Sequence, residues 1–229
     1  VPGLMFALGM DQRRAHGTSL GGVFLISLSS FFTYWTHDHI DWPVVLWLAI
    51  GSVAGSLIGA ELLARVSKRT LTLAFVLILV IAGIRMFFKI DSTGEMILNA
   101  PTAAWLVVIG LVVGALAGML GIGGGLMSVP ILVIFFHVSP AVAKGTSLAV
   151  VIPTAFSGTI QNLRNNNTDL TAAAIVSSTG IVTAIAGSWI AAHMDDALSN
   201  FLFAVLLIVI AGRMLLQLRK QSEITPIGE

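Results

Sequence analysis

The 229-residue sequence contains no cysteine, which excludes a disulfide framework, a thiolate metal site and a cysteine nucleophile together. Charged residues are also scarce. They make up 10% of the chain, against about 25% in ordinary soluble domains. With a mean hydropathy of +0.96, the sequence has too little charge to cover a water-facing surface. A soluble globular domain is therefore excluded.

The sequence also lacks an excess of either charge and lacks catalytic motifs. Its 12 Lys and Arg residues are balanced by 11 Asp and Glu residues, so no basic surface for a nucleic acid is expected. No His-Glu-x-x-His pattern occurs, and His137 has no acidic or serine partner at a recognisable spacing. We therefore expect no enzyme, no metal site, no cofactor and no nucleic-acid partner.

Long apolar runs are what the sequence has instead. A bilayer core of about 30 Å requires about 20 apolar residues per helical span. A short apolar stub occupies residues 1–10. Complete runs predict membrane spans near residues 16–36, 42–63, 70–88, 141–163, 170–192 and 197–217.

A further apolar stretch at 102–137 is too long for one helix. At 1.5 Å per residue it would measure about 54 Å as a single helix. Its middle contains Gly121, Gly123, Gly124 and Gly125, which a straight helix tolerates poorly. We predict two helical segments that meet at this glycine break, as a hairpin or a re-entrant pair. Irregular backbone at membrane depth requires cover from protein or a water-filled cavity, so the break is a candidate site.

The sequence repeats itself without gaps at a constant offset, since residues 15–20 (AHGTSL) recur as residues 143–148 (AKGTSL), 128 positions later. Asp41 matches Asp169 and Arg85 matches Arg213 at the same offset. We predict an all-α integral membrane protein of two repeats, each a glycine-broken helix pair plus three spans. The first repeat, which lacks a counterpart of residues 101–128, is expected to be truncated at its start. The predicted segments are a first repeat at 1–90, a polar linker at 91–101, a second repeat at 102–218 and a polar tail at 219–229.

Loop charge predicts that the two repeats have opposite orientations. Cytoplasmic loops carry an excess of Lys and Arg. Loop 64–69 contains Arg65, Lys68 and Arg69, whereas its counterpart 193–197 contains two aspartates and no Lys or Arg. Opposite charge bias is typical of repeats with inverted topology. The same count places the C-terminal tail on the cytoplasmic side.

The motifs also resemble those of a known family. Residues 121–125 (GIGGG), then Val129-Pro130, then residues 145–147 (GTS) resemble the signature of the TauE/SafE family of sulfite and organosulfonate exporters. The resemblance covers essentially the whole chain, although the first glycine-rich segment is lacking. It implies a multi-pass protein of the bacterial inner membrane that transports sulfite, sulfonates or related sulfur compounds.

From these observations we expect a secondary transporter that exports a small sulfur-containing anion by alternating access at the repeat interface. A passive anion channel and a non-transporting membrane scaffold are the alternatives. The expected partners are the anionic substrate and the lipid bilayer, and a homo-oligomer is left open.

Anion binding requires donors, which the N-terminus of a helix supplies through its backbone N–H groups and dipole. The expected substrate-binding residues are Gly123, Gly124 and Gly125, with Thr146 and Ser147 and their counterparts Thr18 and Ser19. Close packing and helix capping are the alternative roles. The residues expected on a pathway or in coupling are Lys144, His16, Gln161, Asn162, Glu61, Arg85 and Arg213. For these, solvated loop charge, interfacial placement, snorkelling and a Glu61–Arg65 ion pair are the alternatives.

Other residues have expected structural roles. Asp41 and Asp169 precede spans and are expected to cap them. Glycines at small-residue spacing, in 51–59 and 114–118, predict close helix contacts. Aromatic residues at span ends are expected to anchor the protein at the membrane interface. These residues are Tyr34, Trp35, Trp42 and Trp105.

Overall fold

A computed structural model of the chain describes residues 4, 8–62, 68–88, 98–120 and 123–224. Among these residues there are eight helices and no strand. The helices are α1 (Gln12–Trp35), α2 (Trp42–Leu62), α3 (Lys68–Met86), α4 (Ala100–Leu120), α5 (Gly125–Phe136), α6 (Pro140–Arg164), α7 (Leu170–Ala192) and α8 (Asp196–Ile224). By length and composition, five of them can cross a membrane, namely α1, α4, α6, α7 and α8. The predicted class, an all-helical membrane protein, is confirmed.

Polar residues at the helix starts explain several boundaries. The side chains of Asp11, Ser139 and Asp169 accept hydrogen bonds from backbone N–H groups three residues further on, at the starts of α1, α6 and α7. Oδ1 of Asp41 accepts in the same way from the N–H of Val44, at 3.2 Å. Such caps satisfy N–H groups that have no partner inside the helix. The capping roles predicted for Asp41 and Asp169 are confirmed.

The break predicted inside 102–137 is present between α4 and α5. Gly123 and Gly124 have φ angles of +77° and +82°, a region that glycine enters without steric cost. Helix α5 then runs for only 12 residues, which corresponds to about 18 Å. That length is roughly half of the ~30 Å hydrocarbon core. The chain turns at His137 and continues into α6, so α5 and α6 form a hairpin.

Helices α2 and α4 pack closely through glycines, as their spacing predicts. Backbone atoms of Val107 and Leu111 occupy the places where side chains on Gly51 and Gly55 would begin. Small residues allow this close approach of helix backbones in membranes. Since residue numbers rise together along both helices, α2 and α4 are parallel.

The bundle has two ends, each named here after an aspartate. The Asp41 face is formed by residues 36–41, 137–140 and 193–199. The Asp169 face is formed by residues 11–18 and 164–169. At the Asp41 face the rings of His37 and His193 lie 4.9 Å apart between centroids. At the Asp169 face, Nη2 of Arg14 lies 3.4 Å from Oδ2 of Asp169.

Helices that match at the 128-residue offset run in opposite directions between these faces. Helix α1 begins at the Asp169 face, and its counterpart α6 begins at the Asp41 face. Helix α2 begins at the Asp41 face, whereas α7 begins at the Asp169 face. Helix α3 ends where its counterpart α8 begins, and there Phe87 and Phe201 pack with ring centroids 5.6 Å apart. The predicted repeat boundaries themselves stay a prediction.

Apolar side chains cover much of the outer surface, as contact with lipid requires. Trp35, Trp42 and Trp105 are exposed at helix ends near the Asp41 face, where anchors were expected. Tyr34 is different, because it is only 3% exposed and packs against Gly145 of α6. The anchoring role predicted for Tyr34 is therefore wrong.

Candidate functional site

The glycine break lies where α1 and α6 cross. A side chain on Gly123 would begin 2.6 Å from Cγ1 of Val23 in α1 and 3.3 Å from Cγ1 of Val151 in α6. Val23 and Val151 match each other at the 128-residue offset. Gly124 faces α4, where a side chain would begin 3.3 Å from Cγ1 of Val113. Three helices therefore enclose the break, at the crossing point of two matched helices.

The N-terminus of α5 begins inside this enclosure without a side-chain cap. Gly124 is the N-cap residue and offers no side chain. Its carbonyl accepts hydrogen bonds from the N–H groups of Met127 and Ser128, at 3.1 and 3.2 Å. The N–H groups that precede these have no partner within a helix, and the positive end of the helix dipole lies at the same place. This arrangement favours a negative charge at the break.

Two buried serines donate hydrogen bonds to backbone carbonyls at the break. Oγ of Ser147 donates to the carbonyl of Gly125 at 3.1 Å, which joins α6 to the first residue of α5. Oγ of Ser128 donates to the carbonyl of Gly124 at 3.2 Å. Ser147 therefore lies beside the glycine break, and its substrate-binding role stays a prediction. In this conformation its proton is directed at the protein, so donation to an anion would require the bond to Gly125 to open.

The threonines of the Gly-Thr-Ser elements lie elsewhere, at the two faces of the bundle. Oγ1 of Thr146 accepts from the N–H of Asp41, and Oγ1 of Thr18 accepts from the N–H of Asp169, both at 3.0 Å. Each threonine is 1% exposed. Ser19 is half-buried in α1. The structure thus separates the expected binding residues into a group at the break and a pair that connects helices.

The polar residues expected on a pathway also lie towards the faces. Nζ of Lys144 donates to Oγ of Ser199 in α8, at the Asp41 face. Nδ2 of Asn162 donates to the carbonyl of Gly158 in its own helix, at 2.8 Å. His16 and Gln161 are half-buried near the Asp169 face.

The two matched arginines point away from the protein interior. Arg85 is exposed one residue before α3 ends, and Arg213 is exposed on α8. These positions favour snorkelling of the long side chains towards the interface. Glu61 belongs to α2, but its side chain and all of Arg65 lie outside the described residues. The predicted ion pair between them stays a prediction.

A histidine cluster at the Asp41 face is absent from the sequence predictions. The ring centroid of His37 lies 4.9 Å from that of His193 and 6.1 Å from that of His39. Burial, followed by the charge of His37, lowers the pKa of His39 below its usual value of 6.5. Nothing in the sequence indicates this cluster, because His193 approaches His37 only when α1 and α7 are parallel. Within the described residues, no group of three or more acidic or histidine residues has the arrangement of a metal site.

Comparisons with known proteins agree with a membrane transporter. "Probable membrane transporter protein YunE" of Bacillus subtilis (strain 168) is 27% identical over 187 residues, covering 71% of this chain and 68% of that protein. "Probable membrane transporter protein YdhB" of the same strain is 31% identical over 154 residues, covering 64% and 61%. A "Probable membrane transporter protein" of Xylella fastidiosa (strain 9a5c) is 32% identical over 91 residues, covering 39% and 35%. The chain spans about two thirds of the length of the two Bacillus proteins.

No solved structure is significantly similar to the chain. One family model, described as sulfite exporter TauE/SafE, matches residues 1–125 and again residues 105–228. The two matches share residues 105–125, which contain most of α4 and the glycine break. Since together they extend over all eight helices, the chain belongs to the sulfite exporter TauE/SafE family of multi-pass membrane transporters.

Proposed function

We propose that this chain is a secondary transporter of the bacterial inner membrane that exports a small sulfur-containing anion, such as sulfite or a sulfonate. The observation that carries the proposal is the uncapped N-terminus of α5, which lies buried between Val23 and Val151. A pyramidal or tetrahedral oxyanion accepts several hydrogen bonds at once, which matches a cluster of converging N–H donors. Family membership supports the transporter class.

The site would recognise its anion with backbone dipoles and hydroxyl groups alone. The segments that meet at the break contain no charged residue in the sequence. These segments are 20–30, 113–128 and 147–158. A helix N-terminus stabilises an anion by about 0.3–2 kcal/mol, and no charged side chain in these segments adds to this. Modest affinity suits a carrier, because the substrate must also leave.

Alternating access is supported by the way the matched helices are arranged. Helices α1 and α6 run in opposite directions and cross at the break, and the same reversal holds for α2 with α7 and for α3 with α8. Carriers with inverted repeats bind substrate near the membrane midplane and rock one repeat against the other. We therefore assign residues 1–90 and 102–218 as the two moving units.

The first test is binding. Purified protein in detergent is heated with sulfite, sulfate, sulfonates or chloride, and a ligand at ~100 times its dissociation constant should add about 2.7 kcal/mol of apparent stability. We expect stabilisation by sulfite or a sulfonate and none by chloride. Gly124→Leu should abolish it by filling the break. Gly187→Leu should not, because no described atom of another helix lies within 4 Å of the place where its side chain would begin. Equal ligand stabilisation in both variants would refute the site.

The second test separates a carrier from a passive channel. Proteoliposomes loaded with unlabelled sulfite or sulfonate are diluted into radiolabelled anion, and uptake is followed with time. A carrier exchanges internal for external anion, so we expect labelled uptake to accelerate when the lumen contains substrate. A channel would not show this acceleration, and a scaffold would show no uptake.

A further inference from the structure

Each face of the bundle has a hydrogen bond of the same kind, from the backbone N–H of an aspartate to the hydroxyl of a threonine. At the Asp41 face the threonine comes later in the chain than the aspartate, and at the Asp169 face it comes earlier. Thr146 of α6 accepts from the N–H of Asp41 at the start of α2, at 3.0 Å. Thr18 of α1 accepts from the N–H of Asp169 at the start of α7, at 3.0 Å. Thr18 and Thr146 match at the 128-residue offset, as do Asp41 and Asp169. Each bond therefore connects a residue before 90 to a residue after 102.

The backbone contacts beside these bonds are reciprocal as well. The carbonyl of Asn167 occupies the place where a side chain on Gly17 would begin, and the carbonyl of His39 does the same at Gly145. Gly17 matches Gly145, and His39 matches Asn167, at the same offset. The chain that precedes α7 therefore packs directly on Gly17 and Thr18, and the chain that precedes α2 packs directly on Gly145 and Thr146. Contact this close at a buried threonine leaves little room for a substrate at either face.

We propose that these bonds are two latches that close the two faces, the Asp41 latch (Thr146 with Asp41) and the Asp169 latch (Thr18 with Asp169). The inference rests on the proposed function, because only a carrier requires faces that open in turn. Breaking the Asp41 latch separates α6 from the start of α2 and opens the Asp41 face. Breaking the Asp169 latch separates α1 from the start of α7 and opens the Asp169 face.

The two latches differ in one detail. Arg14 pairs with Asp169 at 3.4 Å, whereas the residue that matches Arg14 at the 128-residue offset is the uncharged Val142. The side chains of this ion pair are 54% and 29% exposed, and exposed pairs contribute little to stability. The hydrogen bonds are therefore the comparable elements of the two faces, and removing either one should shift the balance by a similar amount.

The absence of native cysteine allows a direct test with a single reporter. Val151→Cys places a thiol at the glycine break, where Val151 is buried between the faces. A membrane-impermeant thiol reagent is applied to reconstituted protein from each side in turn. Thr146→Val should raise labelling from the Asp41 face about fivefold, which is the change in an equilibrium constant produced by the ~1 kcal/mol of a typical hydrogen bond. Thr18→Val should raise labelling from the Asp169 face by a similar factor.

Controls establish sidedness and specificity. The exposed variants Ala197→Cys and Asn165→Cys report the Asp41 and Asp169 faces respectively. Thr159→Val is the matched control, since its hydroxyl bonds only within α6, to the carbonyl of Ala155 at 2.7 Å. Thr146→Ser and Thr18→Ser retain the hydroxyl and should restore the original labelling.

The test depends on how each variant changes the ratio of thiol labelling from the two faces. The latches predict that Thr146→Val raises the ratio of Asp41-face labelling to Asp169-face labelling and that Thr18→Val lowers it. A shift of this ratio in the same direction in both variants, or no shift, overturns the latches. If a valine variant does not fold, Thr→Ala removes the same hydroxyl and carries the same expectation. Labelling is measured without substrate, so opposite shifts in a protein that fails to exchange sulfite or sulfonate would refute the transported anion and leave the latches standing.

Discussion

The place where a side chain on Gly123 would begin lies 2.6 Å from Cγ1 of Val23, at the point where α1 crosses α6. Gly123 also has a φ of +77°. Two independent constraints therefore apply to this residue, since an added methyl group would meet a neighbouring helix and would also strain the backbone. The left-handed backbone at the break and the close crossing of α1 with α6 therefore both depend on Gly123.

The first prediction concerns Gly123→Ala. The left-handed conformation costs a non-glycine residue about 1–2 kcal/mol, and the contact with Val23 adds to this cost. We expect a clear fall in the thermal stability of the protein in detergent. Adding Val23→Ala to Gly123→Ala should restore only part of the loss, because it relieves the contact and not the backbone strain. Full restoration by the second substitution would show that the left-handed backbone contributes nothing.

The second prediction concerns Ser147, whose hydroxyl binds the carbonyl of Gly125. Ser147→Ala removes a buried hydrogen bond worth about 1 kcal/mol, so we expect lower thermal stability and weaker stabilisation by sulfite or a sulfonate. Ser178→Ala is the matched control, because the hydroxyl of Ser178 is exposed and bonds only within α7, to Ile175. If both variants lost the same amount of thermal stability and of stabilisation by the anion, the hydroxyl of Ser147 would contribute no more to either than an exposed hydroxyl does.

The helices, the glycine break and the helix caps could be predicted from the sequence because each depends on residues close together in the chain. Apolar length sets the spans, and Gly123 and Gly124 directly precede the start of α5. Asp41 and Asp169 cap the helices that follow them, which depends only on residues three positions away. The helix starts and caps agree with the prediction within a few residues. Of the complete spans predicted, those at 16–36, 141–163, 170–192 and 197–217 correspond to helices long and apolar enough to cross a membrane, whereas the apolar stretches described within 42–63 and 70–88 are shorter.

The contacts between helices were not readable in the same way. Tyr34 sits at a span end, but only the packing of α1 against α6 determines that it faces Gly145 rather than lipid. Thr18 and Thr146 carry the hydroxyl groups that an anion site needs. Whether those hydroxyls meet an anion or a backbone N–H depends on which loop lies opposite, and that loop is more than a hundred residues away in the sequence.

The third prediction compares two glycines on matched helices. A methyl group on Gly55 would collide with the backbone of Leu111 in α4, whereas a methyl group on Gly187 in α7 would have no described atom of another helix within 4 Å. Gly55→Ala should therefore destabilise the protein by about 1–3 kcal/mol, as overpacking does. Gly187→Ala should be neutral or stabilise it by up to about 1 kcal/mol, because alanine favours the helix. Thermal unfolding of the two variants side by side measures the difference, and equal destabilisation would contradict the packing of α2 on α4.

The fourth prediction is a pH dependence at the Asp41 face. Burial lowers the pKa of His39 first, and the charges of His37 and His193 lower it further, while Asp196 and Asp38 oppose the shift. Because the folded pKa lies below the usual 6.5, the unfolded chain binds the proton more readily than the folded protein does. The stability that neutral His39 contributes is therefore complete above pH 6.5 and is lost as the pH falls from there through the folded pKa.

Thermal unfolding at several pH values between about 7.5 and 5 measures this effect, and the comparison is with His39→Gln. Glutamine keeps a polar side chain but does not titrate, so the variant should lose less stability on acidification than the original protein does. His137→Gln is the control, because His137 lies outside the cluster. If His39→Gln and the original protein lose stability in parallel, other groups carry the acid sensitivity.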